Sequence, residues 1–520
     1  MAEHANASAV PHAKERVTVP HTTEEVVITT ADGTLLNASG HEQELQRIFS
    51  PIALYGYAVT TGNTWITIGG SIVVAIYNGG APGVLYEFIV VSVCYWFVAA
   101  SIAELASAIP SSGGVYHWAA VAAGPYGRVS GWFAGWWNFF AWLFAYIGTA
   151  EIVAELTLSM YGLFHPDFVL QRWHVFVSYL LITIISCSVV LFANKLLPKI
   201  EAVGGFFVLM GVFITIIVCA VMPHVNGRPY ASHSFVWTDW VNSTGYSSNG
   251  FVFVAGMLNG AFSVGTPDVV SHLAEEIPRP SINIPKAVLT QFIVGFLTAL
   301  IYLIVILYGI SSLDDVLDST LAMPLIEIYR QATGSAGGAL GLSILIFLPA
   351  CCATVGACIT ASRILWTLAR ENATPFSKTL HHINPTFQNP FNSILVVGIV
   401  TIIFGAIYVG SETAFAAFVD SYVVLSTLSY IAAILPHLLS RRANIPRGWF
   451  WMPGVMGYIV NAFSCGYMIA FVVIFCFPFS LPVSAETMNY TCLITGGLTI
   501  FMAVFWFWRQ KDYVGPHKVI

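Results

Sequence analysis

The sequence predicts an all-α polytopic membrane protein of twelve transmembrane helices, with the first and sixth broken near mid-membrane. Three observations carry this reading. Of 520 residues, 57% are apolar and only 9% are charged, whereas soluble domains carry roughly 25% charged residues. The apolar residues gather into twelve stretches, each near the roughly 20 residues that a bilayer crossing takes. Two of these stretches are interrupted by residues that lipid does not tolerate, Gly62-Asn63-Thr64 in the first and Gly265-Thr266-Pro267-Asp268 in the sixth. Freed backbone groups and a carboxylate find no partner in lipid, so such breaks belong inside protein. Two interrupted helices at corresponding places in two halves of a chain point to a secondary transporter.

Taken in order, the first 48 residues are polar, mixed in charge and rich in Ala, Thr, His and Glu. They lack the basic start and apolar core of a signal peptide, and a disordered cytosolic tail is expected. The first five spans are expected at Leu54–Ile76, Val84–Ile109, Val129–Met160, Trp173–Ala193 and Ala202–Met222. The next five are Gly250–Leu273, Ala287–Ile310, Ala339–Leu368, Ser393–Val409 and Ala414–Leu435, and Val455–Phe477 and Tyr490–Trp508 complete the set. The third and eighth, at about 30 residues, should tilt strongly or project from the bilayer. Residues 509–520 are expected to form a short cytosolic C-terminal tail.

Basic residues set the orientation. With the N-terminus inside, seventeen of the twenty Lys and Arg residues face the cytosol, and only Arg172, Arg228 and Arg330 fall outside. Basic loops stay on the cytosolic side, so both termini are expected there, with the plasma membrane as the default location. Asn242 lies in an Asn-x-Ser/Thr site on an outer loop and is a candidate for glycosylation. The net charge of -6 is small for this length and names no partner, and neither nucleic acid nor a cofactor is expected. The nine cysteines are scattered, without metal-ligand spacing, so no metal site is expected.

In the first helix, Thr60-Thr61-Gly62-Asn63-Thr64-Trp65 places five small or polar residues at mid-membrane depth. Glycine withholds side-chain support, and Asn and Thr compete for backbone hydrogen bonds, so unwinding is expected. Unwound carbonyls and half-helix amide ends can then hold a substrate or an ion; close packing through small residues is the competing explanation. In the sixth helix, Phe262, Ser263, Val264 and Gly265 lead into Thr266-Pro267-Asp268. Asp268 has two candidate roles, as a counter-charge for a substrate ammonium or proton and as a cap for the next half-helix. The expected substrate-binding set is therefore Gly62, Asn63, Thr64, Trp65, Phe262, Gly265, Thr266 and Asp268, with Tyr146 added from the third helix.

That third helix is crowded with Trp132, Trp136, Trp137, Phe139, Phe140, Trp142 and Tyr146. Most are expected at lipid or the interface, with one or two left to wall a cavity and hold a cation by cation–π attraction. Glu151 and Glu155, four apart, share a face toward the outer half and suit a cavity or vestibule better than lipid. His272, Glu275 and Glu276 lie toward the inner end of the sixth helix, where gating or interfacial roles are expected. Glu104 is expected in a structural network at the inner end of the second helix. Glu104, Glu151, Glu275 and Glu276 are thus the candidates for coupling or gating.

Three motifs carry a family resemblance. Glu104-Leu105-Ala106-Ser107-Ala108-Ile109-Pro110-Ser111-Ser112-Gly113-Gly114-Val115-Tyr116-His117-Trp118 resembles the second-helix signature of amino acid–polyamine–organocation transporters, in the form of their fungal amino acid/choline branch. His272-Leu273-Ala274-Glu275-Glu276-Ile277-Pro278, with Pro280 and Pro285, is similar to that branch's segment after helix six. Ser362-Arg363-Ile364-Leu365-Trp366-Thr367-Leu368-Ala369-Arg370-Glu371, with Pro375, resembles its eighth-helix end. The resemblance covers about residues 50 to 510. It implies a leucine-transporter-like domain over 49–508, with inverted five-helix repeats at 52–222 and 250–436 and two extra helices at 455–508. It also implies proton-coupled uptake of a small nitrogenous solute.

Two departures bear on that solute. The first helix lacks the Gly-x-Gly that many amino acid carriers use to cradle a carboxylate, and an acid, Asp268, occupies the second break. Choline, polyamines and γ-aminobutyrate therefore stand beside ordinary amino acids. A fifth-helix lysine that serves some relatives as a proton site is absent from 204–222. The expected function is a permease for a small amine-bearing solute, with a proton as the coupling ion and the lipid bilayer as surroundings. A nutrient sensor of the same fold is the alternative, and a membrane enzyme would need a nucleophile–base cluster that the sequence does not offer.

Overall fold

The structure, a computed structural model, describes residues 28–29, 35–36, 41, 43–485 and 487–516. Among these, eleven helices are long and apolar enough to cross a membrane, and a broken first helix supplies the twelfth crossing. It consists of Pro51–Gly62, Thr64–Gly70 and Ile72–Ile76. Its start is set by Ser50, whose hydroxyl accepts from the Ala53 amide, and by Pro51 at the first position, where a missing N–H costs nothing. Helices two to five are Gly80–Ala108, Gly127–Gly162, Arg172–Phe192 and Leu197–Val225. Helix six runs over Asn249–Val264 and resumes, after a break, as the 3-10 turn Val269–Leu273. Helices seven to twelve are Pro280–Tyr308, Ala336–Arg370, Phe391–Gly410, Glu412–Leu439, Gly454–Ile474 and Thr491–Arg509.

Packing follows an internal two-fold relation. Helix two lies on seven, three on eight and four on nine, each element meeting its counterpart in the other repeat. The contact of helix three with ten is mirrored by that of eight with five. Helix eleven rests on helices two and ten, and helix twelve on ten and three. The outer faces are apolar. Leu289, Ile293, Leu297 and Ile301 form one exposed row on helix seven, spaced as successive helical turns require, and this is a surface that lipid covers.

Two helix starts differ from expectation by five residues or more. Helix five begins at Leu197 rather than Ala202, and helix seven at Pro280 rather than Ala287. Pro285 lies inside helix seven and cannot donate to the Ser281 carbonyl. That carbonyl instead accepts from the Ser107 hydroxyl at 2.8 Å. Helices three and eight reach 36 and 35 residues, about 54 Å at 1.5 Å per residue. The helix-three aromatics depart from expectation too: Trp132, Trp136, Phe139, Trp142 and Tyr146 are buried against protein, because helices eight, ten and twelve cover that helix.

Most of the tail expected at 1–48 lies outside the described residues, apart from a two-residue ladder pairing Ile28–Thr29 with Leu35–Leu36. Its end is not free of the body. Leu45 is buried, Gln43 Nε2 donates to the Glu275 carbonyl at 2.7 Å, and His41 lies 2.6 Å from Glu371. The C-terminal segment also docks: Arg128 donates to the carbonyls of Gln510 and Tyr513.

Candidate functional site

The first break is one residue wide. Asn63 takes φ 35° and ψ 41°, a left-handed conformation that Asn tolerates better than most residues. Its carbonyl still accepts from the Thr67 amide at 3.1 Å and hydroxyl at 3.0 Å. Gly62 is demanded by a neighbour, since a Cβ there would fall 2.6 Å from Gln291 Nε2 of helix seven. The same amide donates to the Thr266 carbonyl at 3.1 Å and hydroxyl at 2.8 Å. One side chain therefore packs on the first break and holds the second.

The second break spans Gly265 to Asp268. Its freed Gly265 carbonyl accepts from two tyrosines of helix ten, Tyr422 at 2.7 Å and Tyr430 at 3.3 Å. Asp268 is fully buried. Its Oδ2 accepts from Asn138 Nδ2 at 2.7 Å and Trp142 Nε1 at 3.1 Å, and Oδ1 accepts from Tyr430 at 2.6 Å. His272 Nε2 stands 3.1 Å from Oδ2, and Nδ1 of the same ring is 3.2 Å from the Ser112 carbonyl. Both ring nitrogens thus face oxygen atoms. Burial demands such partners for a carboxylate. The helix-cap expectation for Asp268 fails: its side chain makes no cap bond, because helices three and ten engage it.

Aromatic rings surround this break. Tyr422 stands edge-on to Phe262 at 5.6 Å and to Trp142 at 6.4 Å. A pocket of about 10 Å³ touches Thr64, Val264 and Gln291, room for roughly one water.

Other expected residues go elsewhere. Trp65 turns toward helix seven, its ring 5.1 Å from that of Tyr302. Tyr146 is not brought to the breaks; its hydroxyl meets Ser186 of helix four at 2.8 Å, because that face of helix three looks away from helix six. Glu151 and Glu155 are half-buried, with the like charge of Glu412 of helix ten near both and that of Asp420 near Glu151. Asn242 is half-buried, with Nδ2 donating to the Tyr246 carbonyl at 2.7 Å and to Asn249 Oδ1 at 3.3 Å; a glycan, which replaces one of the two amide hydrogens, would displace one of these bonds.

The three sequence motifs converge at one end of the bundle, beside the start of helix one. Glu276 pairs with Arg363 at 2.7 Å and Glu275 with Arg370 at 3.0 Å, all four buried. The Glu275 amide donates to the Ser112 hydroxyl at 3.1 Å, and the Phe49 amide donates to the Glu276 carbonyl at 3.1 Å. Gly114 has φ +49°, and a Cβ there would fall 2.7 Å from Ser271 Oγ, so the glycine pair lets this turn press against the end of helix six. Glu104 forms a buried pair with Arg442. These ion pairs do not touch the break at Gly265.

Sequence reasoning missed Gln291, Asn138, Tyr422 and Tyr430. The two amides carried a signal, as single polar groups in apolar helices; the tyrosines carried none.

The amino acid permease family model matches residues 52–498. A choline transporter of Saccharomyces cerevisiae is 31% identical over 481 residues, covering 91% of this chain and 83% of that protein. A 7-keto 8-aminopelargonic acid transporter of the same yeast is 26% identical over 87% of this chain and 90% of its own. Among solved structures, the Eremococcus coleocola manganese transporter, in complex with an aromatic bis-isothiourea substituted compound, superposes with a TM-score of 0.54 at 14% identity, over 90% of this chain and 94% of that one. That likeness bears on the fold alone. The broken pair of helices, the converging motifs and a match over nearly the whole membrane domain lead to one assignment: this multi-pass membrane protein belongs to the amino acid permease family, whose named relatives are transporters rather than enzymes.

Proposed function

We propose that the chain is a secondary active transporter for a small amine-bearing solute, working by alternating access. The observation that carries this reading is the junction of the two breaks through Gln291, beside a buried carboxylate ringed by Trp142, Phe262 and Tyr422. A protonated or quaternary amine suits such surroundings, because ring faces attract cations where water is excluded. Gly62, Asn63, Thr64, Gly265 and Thr266 would supply backbone and hydroxyl contacts, and Phe262 a wall. Asp268 would act through its field and through the side chains it holds in place. The names of relatives support the class, since choline and 7-keto 8-aminopelargonic acid both carry nitrogen. Choline is the leading candidate and a proton the coupling ion.

Alternating access requires two closures. The inner one would be the Glu275, Glu276, Arg363 and Arg370 cluster, with Glu104 and Arg442 beside it; Glu151 would face the outer vestibule. With inverted repeats at 52–222 and 250–436, the break would be shared between repeats. The basic bias of the loops supports a cytosolic position for both termini in the plasma membrane. Labelling of a cysteine introduced at Ser243 in intact cells checks that orientation; labelling only after permeabilisation contradicts it.

The functional test is uptake of radiolabelled choline, γ-aminobutyrate and a polyamine in permease-deficient yeast at several pH values. Accumulation of at least one is expected, rising as the outside is acidified. Surface-localised protein that accumulates none of them would overturn the reading.

A further inference from the structure

The start of helix seven, the end of helix two and the segment between helices ten and eleven meet at Ser107. Its hydroxyl donates to the Ser281 carbonyl at 2.8 Å and accepts from the Phe450 amide at 2.8 Å, and the Ser281 hydroxyl donates to the Ser107 carbonyl at 2.7 Å. Gly448 lies flat on the same helix end, since a Cβ there would fall 2.5 Å from the Ala108 amide nitrogen. Three elements are thereby fixed on one platform. On its rim the ammonium of Lys286, from helix seven, stands 5.4 Å from the ring centre of Trp449. Both residues are exposed, and so is Arg447, two residues before the tryptophan.

The two stretches that supply these side chains are basic throughout. Residues 278–290 hold Arg279 and Lys286, residues 439–453 hold Arg441, Arg442 and Arg447, and neither stretch holds an acid. The acids buried at this end of the bundle are already matched, Glu104 with Arg442, Glu275 with Arg370 and Glu276 with Arg363. A lysine and a tryptophan at the end of a membrane helix belong at headgroup depth. From Lys286 onward runs the exposed apolar row of Leu289, Ile293 and Leu297. Helix two bounds that row with Trp96, whose ring meets Phe296 edge-on at 5.2 Å. Ten residues separate Lys286 from Phe296, about 15 Å of helix, which matches one leaflet of the roughly 30 Å hydrocarbon core.

We propose that this corner binds an anionic phospholipid, its phosphate against Lys286 and Arg447, its glycerol beside Trp449, and one acyl chain along the row on helix seven. Basic side chains at a helix end attract anionic headgroups, and on the orientation proposed above they face the leaflet in which those lipids gather. The apolar row begins one turn from Lys286, so head and chain are both accommodated, and a soluble phosphate would leave the row unused. The consequence reaches the two breaks. Trp96 and Phe296 also line the small pocket that touches Thr64 and Gln291, and Gln291 lies on helix seven between Lys286 and Phe296. A lipid on the outer face of helix seven therefore braces the helix that links the breaks.

Lipid retention tests this whatever the solute. The full-length protein in detergent is titrated with phosphatidylserine or with phosphatidylcholine of the same chains, and bound lipid is counted by native mass spectrometry. Phosphatidylserine should bind at least about fivefold more tightly, the effect of one charge near the headgroup. Lys286→Gln combined with Arg447→Gln should weaken its binding about twentyfold, whereas Lys286→Arg combined with Arg447→Lys should hold it within about threefold of wild type. Equal binding of the two lipids, or unchanged binding in the double Gln variant, overturns the proposal. So does displacement of phosphatidylserine by an equal concentration of glycerophosphoserine, which lacks the chains. In nanodiscs, phosphatidylserine in place of phosphatidylcholine should raise the melting temperature of the wild type and not that of the double Gln variant. An equal rise in both, or none in the wild type, contradicts a bracing lipid at this corner.

Discussion

The two breaks solve one problem in opposite ways. The break in helix one is a single left-handed residue, and it leaves polar atoms unspent: Asn63 Oδ1 and Thr61 Oγ1 are buried without partners. The break in helix six is wider, contains a proline and an acid, and is saturated: Gly265 and Asp268 take hydrogen bonds from Tyr422, Tyr430, Asn138 and Trp142. Unwinding near a carboxylate has to be secured from neighbouring helices, whereas a one-residue kink disturbs little backbone. On the proposed mechanism, the helix-six break supplies charge and a fixed frame, and the helix-one break supplies free groups and motion.

The largest expected effect breaks the saturated side. Asp268→Asn removes the charge and sets an amide among existing donors. It should abolish concentrative uptake and lower stability by about 1–3 kcal/mol, read from solute flux and thermal melting in detergent. Near-normal uptake would show that the frame needs only a polar group of that shape.

Next is the link between the breaks. Gly62→Val should cost about 1–3 kcal/mol through overpacking on Gln291. Gln291→Ala should relieve part of that cost, giving a coupling of about 0.5–3 kcal/mol in a double-mutant cycle. Additive effects would mean that the two breaks are mechanically independent.

A smaller effect sharpens the helix-one side. Asn63→Ala should lose about 1–2 kcal/mol for its left-handed backbone, and Asn63→Gly should not. If both variants bind solute equally poorly, Oδ1 is a ligand; if Asn63→Gly binds as the wild type does, Asn63 serves only the kink.

The smallest effect lies where residues 43–50 dock on the bundle. Partial burial at the docking seam pushes the Glu44 carboxyl up although the residue keeps an exposed surface, with Arg370 opposing and Glu275 reinforcing the shift. The docked segment therefore holds a proton that the undocked chain releases, and docking weakens as pH rises from the ordinary carboxylate range through the raised value. Hydrogen exchange at 43–50 should quicken over that window in the wild type and lose this dependence in Glu44→Gln.

The spans and breaks were legible because lipid leaves a chain few options: apolar length marks a crossing, and Gly, Pro and Asp inside it mark an interruption. Helix five was cut short because Pro198, Lys199 and Glu201 look like a loop in one dimension. In three dimensions Lys199 reaches solvent while Glu201 turns into protein, so an acid whose two carboxyl oxygens are buried without hydrogen-bond partners fell one residue outside the expected span. Trp65 and Tyr146 were misdirected for a related reason. A break shows where a helix opens, not which face its flanking side chains present, and that depends on the register with helices four and seven. Asn138 and Gln291 could have been found as lone amides in apolar segments. Tyr422 and Tyr430 could not, since a tyrosine two turns from another is ordinary packing until the carbonyl it serves is known.

The claim that the two breaks enclose one amine site is tested most directly by a cryo-EM map of the protein in nanodiscs with the solute that passes the uptake screen. Density for the amine is expected between Asn63 and Gly265, against the rings of Phe262 and Tyr422 and within reach of the field of Asp268. Density at another location, or first and sixth helices that run unbroken in the bound state, would contradict that claim.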